Sequence, residues 1–279
     1  MVIEITSIQN PKVKFAVGLA DRRDRDRSGL FLIEGFREIT RALQGGVAIE
    51  QVFFAESLFL GHNEPALLDE IQKRGATLFS CKESVFRKIS YRDRPDGLVA
   101  VARQMNTSFE NFCEAFSSEN PFLLVAEGIE KPGNLGTILR SCDAVGVDAA
   151  IICDRCTDLF NPNVVRASVG TLFTQPIVEA KGQELLAWCK NKGIQVVAAT
   201  PQAEREFTET DLSGPLAILV GTEQLGLSKL WMESADIQVS IPMKGAADSL
   251  NVATATTLLL YEVLRQRKQK GLHGDSLRR

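Results

Sequence analysis

An α/β architecture in two parts is what this sequence predicts, and three observations predict it. Short apolar runs alternate with segments of helical period along most of the chain. Residues 106–120, NTSFENFCEAFSSEN, mix small and polar residues without a strong period just ahead of Pro121, and read as a linker. The 279 residues also exceed what one average core requires.

In the first part, residues 1–105, Asn10 and Pro11 suit a helix start. Val13, Ala16, Val17 and Ala20 follow at helical spacing, and Ser28-Gly29 closes the helix. The run Asp21 to Arg27 alternates in sign and reads as a solvated helix face. Leu30 to Ile33 is a strand, Phe36 to Leu43 a helix, and Gly45-Gly46 breaks before a strand from Ile49 to Ala55. Leu67 to Lys73 reads as helix, Thr77 to Phe79 as strand, and Leu98 to Ala102 as the last strand.

In the second part, Phe122–Ala126, Ala149–Cys153, Gln195–Ala199, Ala217–Val220 and Ile237–Ile241 are apolar runs separated by helical segments, the pattern of a mostly parallel, covered sheet. Such sheets bind ligands at the carboxyl ends of their strands. The residues there are Glu127-Gly128, Thr200-Pro201, Gly221-Thr222-Glu223 and Pro242-Met243-Lys244, all small, turn-forming or polar. No GxGxxG follows the first strand and no GxxxxGK[ST] occurs, which removes support for a Rossmann dehydrogenase and a P-loop NTPase.

Composition narrows the chemistry further. No stretch approaches the ~18 apolar residues of a membrane span, so a cytoplasmic protein without membrane attachment is expected. Six cysteines without a secretory signal read as reduced thiols. Cys153 and Cys156 form a CxxC, yet neither a second CxxC nor a nearby histidine completes a zinc set, and no metal is expected. With only His62 and His273, histidine chemistry has little material.

The net charge is −3, but residues 1–105 hold 16 Lys+Arg against 14 Asp+Glu, or +2, leaving −5 for the rest. A polyanion is held by local patches, not by net charge. Lys82, Arg87, Lys88, Arg92 and Arg94 form one such patch, and Arg265, Arg267, Lys268 and Lys270 another.

Three segments carry candidate chemistry. Glu130 to Gly146 begins in turn residues and becomes a helix with Asn134 as its expected N-cap. Its buried stripe is Leu135, Ile138, Leu139, Cys142 and Val145, and Arg140 lies about 140° from Leu135, facing outward. Leu216 to Ser228 is a strand followed by a loop with Gly221, Glu223 and Gly226, where Gly221 would let a ligand approach the backbone. Ile241 to Leu260 sets Ser249 and Asn251 before an apolar helix, where either alone would simply be a cap.

Together these segments resemble the TrmH/SpoU family of SPOUT RNA methyltransferases. The matching residues are Asn134-Leu135-Gly136 with Arg140, Gly221-Thr222-Glu223, and Ile241-Pro242-Met243 with Ser249-Leu250-Asn251-Val252. The segment Asn161-Pro162 through Arg166 to Gly170 is similar to the family's intermediate segment. More loosely, Ser7–Val13 and Phe31–Arg37 are similar to the ribosomal-protein-like RNA-binding domain attached to many members.

The resemblance implies a SPOUT α/β domain over 121–267 with a deep trefoil knot, preceded by the small α/β RNA-binding domain and followed by a basic tail, 268–279. It implies a homodimer and S-adenosylmethionine as cofactor, held mainly by backbone groups at Thr200, Gly221, Ile241, Met243 and Leu250. Arg140, Asn134, Glu223, Ser249 and Asn251 would carry catalysis; Arg37, Lys82, Arg87, Lys88, Arg92, Arg94 and Arg166 would bind RNA.

The implied reaction is 2′-O-methylation of a ribose in structured RNA, with the extra domain favouring rRNA over tRNA. Two alternatives stand beside it: a guanine base methyltransferase acting on tRNA, and a non-catalytic RNA-binding or ribosome-assembly factor. Two positions depart from the family pattern, Gln224 for a common glycine and Ala253 for a common serine.

Overall fold

The computed structural model describes residues 2–154, 157–222 and 224–271. The chain forms two compact units, one of residues 1–106 with 158–174 and one of 107–157 with 175–279. Each has its own sheet.

In the first unit the elements run β1 (Val2–Ile5), α1 (Pro11–Gly18), α2 (Arg22–Ser28), β2 (Leu30–Glu34), α3 (Phe36–Gln44), β3 (Ile49–Phe54), α4 (Glu64–Lys73), β4 (Thr77–Cys81), α5 (Glu83–Ile89) and β5 (Leu98–Arg103). The sheet order is β1-β4-β3-β5-β2. It is mixed: β4 pairs in parallel with β1 and β3, while β5 is antiparallel to β3 and β2.

The single helix expected over 11–28 is two. Asn10 caps α1 by accepting from Lys12 N, as its position predicts, but Asp21 starts a second helix by accepting from Arg23 N. The break is held by Arg25, whose Nη1 donates to the carbonyls of Leu19 and Ala20, both at 2.8 Å. Arg25 is therefore not on a solvated face: it is 1% exposed, and its Nε and Nη2 donate to Asp158 Oδ2 at 2.9 and 2.5 Å. Strand β1 and helix α5 lie outside the expected elements, since four and seven residues carry too little period to stand out.

Residues 158–174 complete this unit. Their helix α8 (Pro162–Ala167) packs on β2, and Phe160 and Phe173 set their rings 4.9 and 6.0 Å from that of the buried Phe31. Val169 takes a left-handed backbone, φ 54°, and its carbonyl accepts from Arg41 Nη1 at 2.5 Å.

The second unit runs α6 (Phe109–Ala115), β6 (Phe122–Glu127), α7 (Pro132–Val145), β7 (Ala149–Cys153), β8 (Ile177–Ala180), α9 (Gly182–Asn191), β9 (Gln195–Ala199), β10 (Leu216–Val220), α10 (Lys229–Ser234), β11 (Ile237–Val239) and α11 (Val252–Gln269). All six strands are parallel, in the order β11-β9-β10-β6-β7-β8, and β6, β7 and β10 are buried along their whole length, as an apolar run covered on both faces requires. The short β8 escaped the sequence pattern. So did α6, inside the stretch expected as linker: Ser108 caps it, and Phe109, Phe112 and Phe116 set their rings 5.4–5.9 Å from that of Trp188.

The C-terminal basic cluster is largely consumed by structure. Arg267 is buried, donates to the carbonyls of Asn120, Pro121 and Gly214, and lies 5.0 Å over the Phe122 ring. Burial pushes its guanidinium below the usual arginine range. Arg265 pairs with Glu262 and Lys270 with Asp211. Arg267 thus serves packing and not a polyanion.

Candidate active site

The strand order places β6 beside β10 while the chain proceeds from β6 to β7 and β8 on the other side, which makes a switch point where a doubly covered sheet opens a crevice at its carboxyl ends. On the β10 side the ends of β9, β10 and β11 open into a cleft of about 500 Å³. Thr200, Gly221, Ile241, Met243 and Leu250 all line it, together with Ser249. Five positions spread from 200 to 250 in the sequence therefore meet around one space. Thr222 and Gln224 line it as well, and so do Gln202 and Asp248, whose side-chain polar groups the motifs did not single out. Thr200 Oγ1 donates to Gln202 Oε1, which fixes that turn.

The loop after β10 is a closed turn. Thr222 N donates to the Gly226 carbonyl at 3.0 Å, Gly226 N to the Thr222 carbonyl at 3.1 Å, and Leu225 N to Thr222 Oγ1 at 2.9 Å. The sequence gives Gly221 a role in ligand approach; the structure shows a nearer reason for glycine. A Cβ there would sit 2.4 Å from the Gly226 carbonyl carbon and oxygen and 2.6 Å from Leu227 N. The loop thus folds back on its own first residue. Its far end is held by Glu127, a buried carboxylate at the end of β6 whose Oε2 accepts from Ser228 N at 2.7 Å. Glu127 was visible as a strand-end residue but had no assigned task. Glu223 lies outside the described residues.

Helix α7 starts at Pro132, with Lys131 at the cap, so Asn134 is not the N-cap but the third helical residue. Proline suits the first turn because its missing N–H would have no partner there. Asn134 Oδ1 accepts from Asn251 Nδ2 at 3.2 Å. Asn251 caps α11, accepting with Oδ1 from Ala253 N at 2.9 Å and Thr254 N at 3.4 Å. One amide group thus starts a helix with its oxygen and reaches a second helix with its nitrogen.

The two helices are joined again by a hydrogen bond of 2.7 Å between Ser141 Oγ and Thr257 Oγ1. Arg140 is exposed on α7, roughly 9 Å along the axis from Asn134, and makes no hydrogen bond or ion pair among the described residues. Arg140 is not among the residues lining the cleft.

The basic residues of the first unit divide by partner. Arg37, Lys82, Lys88, Arg94 and Arg166 are exposed. Arg87 is exposed and pairs with Glu83 at 2.8 Å. Arg92 is committed inward, with Nη2 donating to Glu38 Oε1 at 2.7 Å and to the Glu34 carbonyl at 3.0 Å, and Nη1 3.4 Å from Asp96.

Three of the described cysteines, Cys81, Cys142 and Cys189, are shifted away from reactivity. Burial pushes the Cys81 thiol up to about 11, that of Cys189 up to about 12, and that of Cys142 further in the same direction. A thiol so shifted is not a nucleophile at neutral pH. Among the described residues no group of three or more His, Cys, Asp or Glu is arranged to hold a metal ion, and Cys156 lies outside them. No helix among the described residues is long and apolar enough to cross a membrane.

Comparison with known proteins agrees with this geometry. Residues 121–261 match the SpoU rRNA methylase family, and residues 10–100 match the MRM3-like substrate-binding domain. The crystal structure of an RNA 2′-O ribose methyltransferase is 42% identical and superposes with a TM-score of 0.82, covering 95% of this chain and 100% of that one. An AdoMet-bound rRNA methyltransferase from Sinorhizobium meliloti is 31% identical with a TM-score of 0.86, covering 95% and 98%. The 23S rRNA (guanosine(2553)-2′-O)-methyltransferase of Bacillus subtilis is 27% identical over 93% of this chain and 98% of its own length. Family model, overall fold and the convergence of separated motifs on one cleft agree: the chain belongs to the TrmH/SpoU family of SpoU rRNA methylases.

Proposed function

We propose that this protein is an S-adenosylmethionine-dependent methyltransferase that modifies a ribose 2′-hydroxyl of rRNA. The observation that carries the proposal is the cleft at the ends of β9, β10 and β11, where Thr200, Gly221, Ile241, Met243 and Leu250 come together. Its volume of about 500 Å³ and its mixture of apolar walls with a few polar groups suit a nucleoside-sized ligand. Thr200, Gly221, Ile241, Met243 and Leu250 would hold the cofactor there, and the cofactor supplies an electrophilic methyl group on a sulfonium. The relatives' names point to rRNA 2′-O-methylation and give no support to base methylation of tRNA or to a scaffold without turnover.

Residues beyond the cofactor positions divide the remaining work. Arg140, outward and charged, orients the target phosphate and ribose and stabilises negative charge developing on the 2′-oxygen. An arginine side chain ordinarily stays protonated in proteins, so removal of the 2′-proton by Arg140 is confined to the closed complex with RNA. Asn134 and Asn251 fix α7 against α11 and so fix Arg140's base. Ser249 and Glu223 hold the ribose and loop. Alignment of a 2′-oxygen with the methyl carbon is the largest contribution open to such a site, on the order of 7–11 kcal/mol.

The finer architecture belongs to the same reading: a deep trefoil knot in the C-terminal domain, pairing of two such domains in a homodimer, an RNA-binding domain in the N-terminal 105 residues, and a cytoplasmic place of action. Exposed Arg37, Lys82, Lys88, Arg94 and Arg166 would meet the RNA backbone, with Arg87 exchanging Glu83 for a phosphate.

Arg140→Ala tests the reading. Calorimetry should show unchanged S-adenosylmethionine binding, RNA binding should persist, and transfer of labelled methyl to rRNA should fall by at least a hundredfold. Undiminished transfer would remove Arg140 from the mechanism, and absence of S-adenosylmethionine binding by the unaltered protein would remove the enzyme itself.

A further inference from the structure

The loop after α5 carries an aromatic side chain at the surface of the first unit. Tyr91 is 46% exposed, and it is held at both ends. Its backbone N donates to Glu34 Oε2 at 2.7 Å, and the same carboxylate accepts from Arg92 N at 3.2 Å and from the Ser90 hydroxyl. At the tip, the phenol oxygen accepts from Asn163 Nδ2 at 2.7 Å. Tyr91 also lines, with Ile89, Pro162, Val165 and Arg166, a cavity of only about 10 Å³. That space holds one water at most, so any partner of the ring must approach from solvent. A side chain fixed in this way loses little freedom on binding, which makes it a good anchor.

The surroundings of the ring are cationic. Arg166 lines the same cavity, and Lys88 and Arg94 stand three residues to either side of Tyr91 in the chain. All three are exposed, and among the described residues none of their side chains makes an ion pair or hydrogen bond. Asp93 is the one acidic residue between Lys88 and Arg94.

A fixed aromatic side chain among uncommitted cations suits a ligand that carries both π-faces and phosphates, as a single strand of nucleic acid does. A duplex suits it less, because each base inside a helix has both faces covered by its neighbours. An acidic peptide would engage the cations and leave the ring idle.

We propose that Tyr91 is a stacking platform for an unpaired base of the RNA, with Arg166, Lys88 and Arg94 receiving the adjoining phosphates. The proposal rests on the reading of the protein as an RNA methyltransferase, and it adds a contact to the bases where the cations alone would meet only the backbone. Since every base has a π-face, the platform selects for single-strandedness and not for one nucleotide.

Fluorescence anisotropy with the full chain tests this, using a single-stranded RNA of about 12 nucleotides without self-complementarity, alone and annealed to its complement. Tyr91→Ala should weaken binding of the single strand at least fivefold and leave the duplex within twofold. It should not change the dependence on salt, because a ring releases no counterions. Arg166→Ala should instead weaken both forms and flatten the single-strand salt slope by ~0.7, the value of one phosphate contact. Tyr91→Phe, which keeps the ring and gives up Asn163, should stay within threefold of the wild type. Tyr91→Trp should keep the affinity, and its added emission should be quenched by the single strand and not by the duplex.

Unchanged single-strand affinity in Tyr91→Ala, an equal loss on both forms, or emission in Tyr91→Trp that the single strand leaves unmoved would overturn the platform. So would a loss of the same size with polyaspartate as the probe, which would mark a general polyanion surface. The Tyr91→Trp titration stands even if the alanine variant fails to fold. Methyl transfer to rRNA by a chain whose single-strand binding ignores Tyr91 overturns the platform alone. Tyr91-dependent binding by a chain that transfers no methyl group overturns the enzymatic reading and leaves the platform in place.

Discussion

Asn251 Nδ2 donates to Asn134 Oδ1 across 3.2 Å, linking residues 117 positions apart in the chain and tying the start of α11 to the first turn of α7. The two have unequal duties, because Asn251 also satisfies two backbone N–H groups of α11. Asn251→Ala should lower unfolding stability by about 1 kcal/mol, the usual value of a lost N-cap. Asn134→Ala should lower it by about 0.5 kcal/mol or less while slowing methyl transfer. Urea unfolding of both variants checks this, and equal losses would mean that the cap carries no separate weight.

Gly221 is fixed by the backbone of its own loop. Gly221→Ala places a methyl group 2.4 Å from the Gly226 carbonyl, so the turn must open. Forced overpacking of this kind costs about 1–3 kcal/mol. S-adenosylmethionine affinity measured by calorimetry should fall at least tenfold. Gly226→Ala makes a useful contrast: its φ is 68° but a Cβ there meets nothing within 4 Å, so backbone strain of about 1 kcal/mol is the whole expected effect.

Arg25 and Asp158 form a buried pair with side chains 2% and 12% exposed. Asp158→Ala leaves the guanidinium without its carboxylate, and removal of one member of a buried pair costs about 3–5 kcal/mol. The loss should appear in urea unfolding and change little with added salt, since burial limits screening. A loss that salt abolishes would place the pair in solvent.

Glu34 gives a pH-dependent term. Burial raises its carboxyl above the ordinary range, and hydrogen bonds from Ser90 and from the Tyr91 and Arg92 backbone, with the Arg92 charge, offset only part of the rise. The folded chain therefore holds this proton at higher pH than the unfolded chain does. Stability from Glu34 is complete below the unfolded value of 4.5 and declines as pH rises through the folded value. Glu34→Gln should flatten the fall of the urea midpoint between 4.5 and the folded value. A variant profile parallel to the wild type would assign the dependence to another group.

Much of the second unit was legible from sequence because its signals are long or chemical. Apolar runs such as 149–153 stand out only when a strand is buried on both faces, and the Ile241-Pro242-Met243 and Ser249–Val252 pattern fixes a loop that no periodicity describes. The misses share a cause: their reasons lie far away in the chain. Nothing near Arg25 announces Asp158, so its charge reads as surface; nothing near Arg267 announces the carbonyls of Asn120 and Gly214. Asn134 looks like a cap until Pro132 is seen to open the helix.

The segment 158–174 has a consequence for how the molecule comes into being. A ribosome releases residues 1–106 well before Asp158, Phe160 and Phe173 exist, and until then Arg25 lacks its counter-charge and Phe31 its aromatic cover. The first sheet to emerge is thus covered on this face only after more than half the polypeptide has been synthesised, and a gene truncated at 106 would yield a nascent chain inclined to stick through Phe31.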